Sequence, residues 1–311
     1  MKIIRKRWAI ALLGVAVLGL ASCSRRGEEA DLRPSVKIAY LPITHALPVF
    51  ETAEASANGG DLNVELVKFG SWPELMDALN SGRVDGASVL IELAMKAKER
   101  GVGLKAVALG HRDGNVAIVS KAIESAADLK GKTVAIPHRQ SSHFILTSEA
   151  LATAGLSVDD VKLVELAPPE MPAALAGGQI DAYCVAEPFG AKAVTLDVGR
   201  PLFKSEELWA DSLCCGLVLT EQFIDERSED AKKFVENYKA AGRNLTKERS
   251  QVVAKKYLSV DEKTLKLSLE WIRYDDLEIT REDYDALVEK VKANGLSDEP
   301  PTYDDFVETD F

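Results

Sequence analysis

Apolar and polar positions along the chain fall into a pattern that occurs twice. Val36-Lys37-Ile38-Ala39-Tyr40 reads as a short strand that Pro42 stops, and a helical pattern begins around Ala46. Lys132-Thr133-Val134-Ala135-Ile136 repeats it, stopping at Pro137 and giving way to a helix near His143, 96 residues on. Farther along, the segment from Pro73 to Asp85 aligns with that from Pro169 to Asp181 at the same spacing, with six of thirteen positions identical. Each copy predicts a helix followed by a strand. Ser71-Trp72-Pro73-Glu74 offers an N-cap, an early proline and a Glu able to close a capping box. Gly82 and Gly178 end the two helices, and Val84 and Ile180 open the strands after them.

Helices alternating with strands imply an α/β protein of two lobes, each a mostly parallel sheet flanked by helices, with ligand-facing edges at the strand C-termini. The strand-like runs Val116 to Val119 and Gly216 to Leu219 flank the second copy and are expected to act as paired crossovers joining the lobes. The first lobe is then 36–120 plus 213–311, and the second is 121–212. After Ser228 the pattern is helical. Ala231, Phe234, Val235, Tyr238 and Ala241 share one face, and these late helices are expected to pack on the first lobe.

The N-terminus carries a separate signal. Lys2, Arg5, Lys6 and Arg7 precede an apolar run from Ala9 to Ala21, shorter than the about 20 residues a membrane span needs. The sequence Leu20-Ala21-Ser22-Cys23 resembles the lipobox of bacterial lipoproteins. That resemblance implies removal of residues 1–22, diacylglycerol on Cys23, and a polar tether over 23–35. The remaining chain has 34 Lys and Arg against 49 Asp and Glu, a net −15. Such a surface excludes nucleic acid and leaves the lipid as the membrane contact. The expected location is the outer face of a cell membrane.

Two α/β lobes behind such a leader resemble a periplasmic-binding-protein type 2 fold. Within it, Lys37 to Pro42, Asp128 to Ala135, and Val185-Ala186-Glu187-Pro188-Phe189 resemble the nitrate, bicarbonate, sulfonate, taurine and thiamine-precursor binders, the NMT1/THI5-like or SsuA-like group. The resemblance implies a monomeric ABC transporter substrate-binding lipoprotein that closes on a small solute and delivers it to permease and ATPase subunits. It implies no catalysis and no cofactor. A sensor for a membrane receptor fits the same features. Pyrimidine-synthase-like and menaquinone-pathway enzymes share the fold but are intracellular.

Ligands in such folds lie where helix N-termini offer unpaired N–H groups. The expected contacts are Thr44 and His45 after the first strand, Ser71 and Trp72 at the next helix, and Ser88 in the strand that follows. Gln140, Ser141, Ser142 and His143 open the first helix of the second lobe, and Glu187 stands before Pro188. All four histidines, His45, His111, His138 and His143, follow apparent strands, with His45 and His143 the stronger candidates. Glu187 points toward a solute with a nitrogen donor or flat ring, or else caps its own helix. Cys184, Cys214 and Cys215 lack metal-ligand spacing, so no metal site is expected. They are buried thiols, or Cys184 bridges one of the pair. Gly131-Lys132-Thr133 mimics a phosphate-loop tail, but Ala126 replaces the first glycine and a strand follows. The chain contains no Gly-x-Ser-x-Gly and no His-Glu-x-x-His.

Overall fold

The computed structural model describes residues 31–311, so the expected leader, Cys23 and the tether as far as Ala30 lie outside the described residues. No described helix is long and apolar enough to cross a membrane. The first half of the first lobe runs β1 (Ser35–Tyr40), α1 (Leu47–Ala57), β2 (Asn63–Lys68), α2 (Trp72–Asn80), β3 (Gly86–Leu90), α3 (Ile91–Glu99) and β4 (Leu104–Leu109). A short β5 (Arg112–Asp113) marks the passage into the second lobe. That lobe runs β6 (Asn115–Ser120), β7 (Thr133–Ile136), α4 (Ser142–Ala152), β8 (Lys162–Glu165), α5 (Met171–Ala176), β9 (Ala182–Ala186), α6 (Phe189–Thr195) and β10 (Gly199–Lys204). The chain returns through α7 (Ser205–Leu208) into β11 (Cys215–Thr220). It then continues as α8 (Glu221–Glu226), α9 (Ser228–Asn244), α10 (Lys247–Tyr257), α11 (Glu262–Ser268), β12 (Ile272–Arg273), α12 (Arg281–Ala293) and α13 (Tyr303–Phe306).

The sheets share one topology. Their orders are β2-β1-β3-β11-β4 and, read from the matching edge, β8-β7-β9-β6-β10. In each, four strands run one way and the fourth in the order, β11 or β6, runs against its neighbours. The central strands β3 and β9 begin 96 residues apart and are buried along their whole length, as strands covered by helices on both faces must be. Gly82 and Gly178 stand just past α2 and α5 with φ near +67° and +66°, the left-handed turn that ends both helices.

Two expectations about connectivity change. Val116 to Val119 pairs with β9 and β10, and Gly216 to Leu219 with β3 and β4, so these runs do not pair with each other. Each is the strand that the chain inserts on arriving in the other lobe. The passages themselves are residues 110–114 and 205–214, which moves the first boundary back from 120. A strand bordered on both sides by partners of its own sheet satisfies its backbone there, and a free crossover would not. The second change concerns the late helices. They pack mainly on the first lobe, yet α11 reaches α6 of the second through a 2.6 Å Thr195–Thr264 hydroxyl bond. Lys290 of α12 likewise bonds Glu149 of α4 at 2.6 Å.

The largest core spans both lobes. Ile38, Val89 and Leu217 of the first share it with Ile136, Phe144 and Ala186 of the second, and Leu213 and Cys214 of the return passage lie within it. The two lobes therefore meet along this core.

Candidate functional site

Four side chains from three separate segments meet where the lobes close. His45 lies in the 3₁₀ turn after β1, His111 in the first passage, and Cys214 and Cys215 at the end of the second. One ligand atom from each lies within 4.8 Å of all the others, and all four residues are buried.

Each is held from the first lobe. Leu109 donates its N–H to Leu277 O at 2.7 Å and accepts from the Tyr238 hydroxyl at 2.9 Å, and Gly110 donates to Cys215 O at 2.8 Å. His111 follows directly. A side chain at Gly110 would stand 2.7 Å from His45 O and 3.2 Å from Cys215 O, so glycine there lets the three segments touch. Arg112 is buried and spent on Asp283 and on the carbonyls of Asp276 and Glu278, which fixes this passage to the first lobe. The carbonyl of Cys214 accepts from Ile91 N–H at 2.8 Å.

The imidazoles are oriented by backbone carbonyls. His45 Nε2 lies 2.9 Å from Gly114 O and His111 Nδ1 lies 2.6 Å from Asp113 O. Since a carbonyl only accepts, those nitrogens carry the protons. The bare nitrogens, His45 Nδ1 and His111 Nε2, face the cluster. The two rings are 3.5 Å apart between centroids. Cys214 Sγ lies 3.8 Å from His45 Nδ1, 3.8 Å from Cys215 Sγ and 3.6 Å from Asn115 Oδ1. Burial alone would push the Cys214 thiol up, but hydrogen bonding with the Cys215 thiol holds it below the usual thiol range. The site therefore gathers imidazole lone pairs and two sulfurs, donors that crowd one another unless a cation stands between them. Donors 2.0–2.3 Å from a tetrahedral ion are separated by roughly 3.4–3.8 Å, the spacing seen here for Nδ1–Sγ and Sγ–Sγ.

His143 and Glu92 border the cluster. His143, at the start of α4, is 0% exposed and neither ring nitrogen has a partner. Burial, together with His45 and His111, lowers its pKa to about 4, so the ring is neutral. Glu92, early in α3, is also fully buried with both carboxylate oxygens unpartnered, and burial followed by the Cys214 charge pushes it well above the carboxylate range. The Ser142 hydroxyl, Asn115 Nδ2 and Trp72 Nε1 are unpartnered as well.

The other residues expected to face a ligand lie elsewhere or are spent on structure. The Thr44 N–H and hydroxyl both donate to Glu187 O at 3.0 Å, stitching the lobes together. The Glu187 carboxyl accepts from Ala191 N–H at 3.1 and 3.2 Å, folded onto the start of its own helix. Ser141 caps α4 through Phe144 N–H. Gln140 lines a 260 Å³ cavity with His138, Met76 and Lys96. Ser71 sits at the N-cap position of α2 but its side chain makes no cap bond, so the expected capping box is absent there. Trp72 is packed in the first lobe's core, and Ser88 is buried within β3. The described cysteines are free thiols. A 410 Å³ cavity lined by Ile43 and Phe69 of the first lobe and Pro168 and Phe189 of the second opens beside the His45 turn.

Sequence reasoning ranked His111 below His45 and His143, read Cys214 and Cys215 as buried thiols or a bridge to Cys184, and did not weigh Glu92. The usable signal was the histidines' common position after strands. Joining them to the cysteines requires knowing that both passages border the same strand end.

Known proteins resemble this chain over most of its described length. The ligand binding component of an ABC-type import system from Staphylococcus aureus, solved with zinc bound, is 39% identical, with a TM-score of 0.85 over 89% of this chain and 97% of that one. The nitrate/nitrite binding protein NrtA of Nostoc sp. is 27% identical over 63% of this chain and 50% of its own length. The taurine-binding periplasmic protein of Escherichia coli is 29% identical over 65% of this chain and 64% of its own. The chain thus spans about half the length of the first of these curated relatives. By their names the curated relatives are binding proteins, and the Staphylococcus aureus structure shares the fold of this chain. The family model described as NMT1-like matches residues 29–259, and on that extent of match the chain belongs to the NMT1-like family.

Proposed function

We propose that this chain is the extracytoplasmic solute-binding component of an ABC importer and that the solute it closes on is a late transition-metal ion, zinc(II) in the first instance. The observation that carries the reading is the convergence of His45 Nδ1, His111 Nε2, Cys214 Sγ and Cys215 Sγ on one buried point. Two imidazoles and one or two thiolates are a donor set that suits a borderline-soft ion. The Staphylococcus aureus relative solved with zinc bound supports the same ion class, and its description as part of an ABC-type import system supports permease and ATPase partners. Lipidation at Cys23 would keep the clamp beside those partners.

The nitrate, bicarbonate, sulfonate, taurine and thiamine-precursor solutes suggested by sequence resemblance form the competing reading, which the names of the curated relatives favour. An oxyanion calls for buried cations, whereas the one at hand, Arg112, is already paired and Glu92 adds a carboxyl. Titration calorimetry on chelator-stripped protein separates the two. One zinc per chain is expected, with no heat from nitrate, taurine or an alkanesulfonate. Cobalt(II) in place of zinc should show a thiolate-to-metal charge-transfer band. Binding of taurine or nitrate without binding of zinc would overturn the proposal.

A further inference from the structure

The donors of the cluster do not divide evenly between the lobes. His45, His111 and Cys214 are all fastened to the first lobe, through the β1 turn, through Leu109 and Arg112, and through Ile91. The first passage supplies a carbonyl, Gly114 O, which orients His45 through its Nε2. The second lobe brings Asn115 Oδ1 to 3.6 Å from Cys214 Sγ, and its imidazole at this border is His143. That ring lies at the first turn of α4, whose Phe144 and Ile145 enter the shared core. Both its nitrogens are buried without a partner, where one or two buried hydrogen bonds are the rule for such a ring. Its ligand atoms are not among the four that lie within 4.8 Å of one another.

Resting on the metal-ion reading, we infer that His143 is the ligand through which the second lobe grips the ion, so that the first lobe captures and His143 closes. An ion held by His45, His111 and Cys214 leaves one tetrahedral position for which Cys215 Sγ of the first lobe and His143 of the second are the donors at hand, and His143 in that position would tie α4 to the first lobe. Closure is then favoured only with the ion in place, because without it the approach brings a bare imidazole against other lone pairs. A ligand that binds the closed form more tightly shifts the population by that difference alone, and His143 is where the difference arises.

The experiment compares the full chain with His143→Ala and His143→Gln, using zinc as the ligand, calorimetry for affinity and small-angle scattering for compaction. Melting curves of the metal-free proteins check folding, and His143→Gln, which keeps size and polarity, serves if the alanine variant is unstable. The wild-type chain should bind one zinc and contract. The variants should still bind one zinc, roughly tenfold or more weakly, and should not contract. The cobalt(II) form should keep its thiolate charge-transfer band in the variants while its d–d bands change with the lost ligand. Variants that contract on zinc as the wild type does would overturn the role of His143 and leave the site standing. A wild-type chain that takes up no zinc would overturn the metal-ion reading itself.

Discussion

The turn after β1 and the turn after β7 occupy the same place in the repeated topology, and the 96-residue offset sets His45 opposite Ser141. Around the turn after β7 the second lobe spends several polar groups at home, while Asn115 Nδ2, the Ser142 hydroxyl and both His143 nitrogens stay unpartnered. Ser141 caps α4 and donates to His138 O at 2.5 Å, His138 Nδ1 accepts from Gln140 N–H at 2.9 Å, and Glu187 takes the N–H of Ala191. The first lobe leaves its own groups over. The turn at Thr44 to Ala46, α2 and α3 all begin without a side-chain cap, and the free nitrogen of His45, the Cys214 sulfur and the Glu92 carboxyl meet inside. Buried polar groups cost free energy when unpaired, so the groups left over on both sides of the closure mark where a solute is expected, while Ser141 in the turn after β7 is spent on its own helix.

The sharpest break of this comparison is Cys214→Ala. It removes the thiolate from the first-lobe corner and should weaken zinc by well over the roughly 10–100-fold that loss of an outer-shell partner costs. In melting experiments at zinc about 1,000 times the wild-type Kd, the ion should stabilise the wild type by about 4 kcal/mol and leave the variant nearly unmoved. Calorimetry and thermal melts with and without chelator measure both. Retention of wild-type affinity in the variant would remove Cys214 from the site.

Glu187 tests the opposite corner through pH. Its carboxyl is fully buried, and that burial raises its pKa to about 8 despite the Ala191 N–H. The unfolded chain releases this proton near the ordinary carboxylate value, so between the two values the folded protein holds one proton more. The stabilisation is complete below the unfolded pKa and is lost as pH rises through about 8. Over pH 5 to 8 the loss is on the order of 3 kcal/mol. Glu187→Gln should flatten that slope in denaturant titrations of the metal-free protein while zinc affinity at pH 7 stays close to wild type. A slope unchanged by the substitution would mean that the carboxyl is ionised inside the fold.

The lobes were legible because a duplicated strand–helix pattern shows itself as spacing, and because Pro42, Pro137, Gly82 and Gly178 punctuate it through backbone chemistry alone. The exchange of β6 and β11 was not. A strand's partners depend on where the chain goes after it, and Val116 to Val119 reads the same as a crossover or as an insert. The same ignorance hid half of the site. His45 and His143 stand after strands and at a helix start, which pattern can find, whereas His111 and Cys214 become neighbours only when both passages border one strand end. Ser141 and Ser71 look alike as helix-start serines. Which one bonds its own helix is decided by side-chain geometry, and only Ser141 does.

The smallest effect comes from that serine. Ser141→Ala removes the acceptor for Phe144 N–H and the donor to His138 O, both local to the start of α4. Loss of an N-cap costs about 1 kcal/mol, which for a chain of this size lowers the melting temperature by about 2–4 °C. Zinc affinity should stay within about threefold of wild type, since Ser141 touches none of the ion's ligands directly. His45→Ala, at the matching place in the first lobe, should do the reverse and weaken zinc far more than it lowers the melting temperature of the metal-free protein. The pair of variants, measured side by side, tests whether the two halves of one repeat have been given different work. If Ser141→Ala weakens zinc as strongly as His45→Ala does, the turn after β7 belongs to the site and the division between a capturing lobe and a self-capped lobe fails.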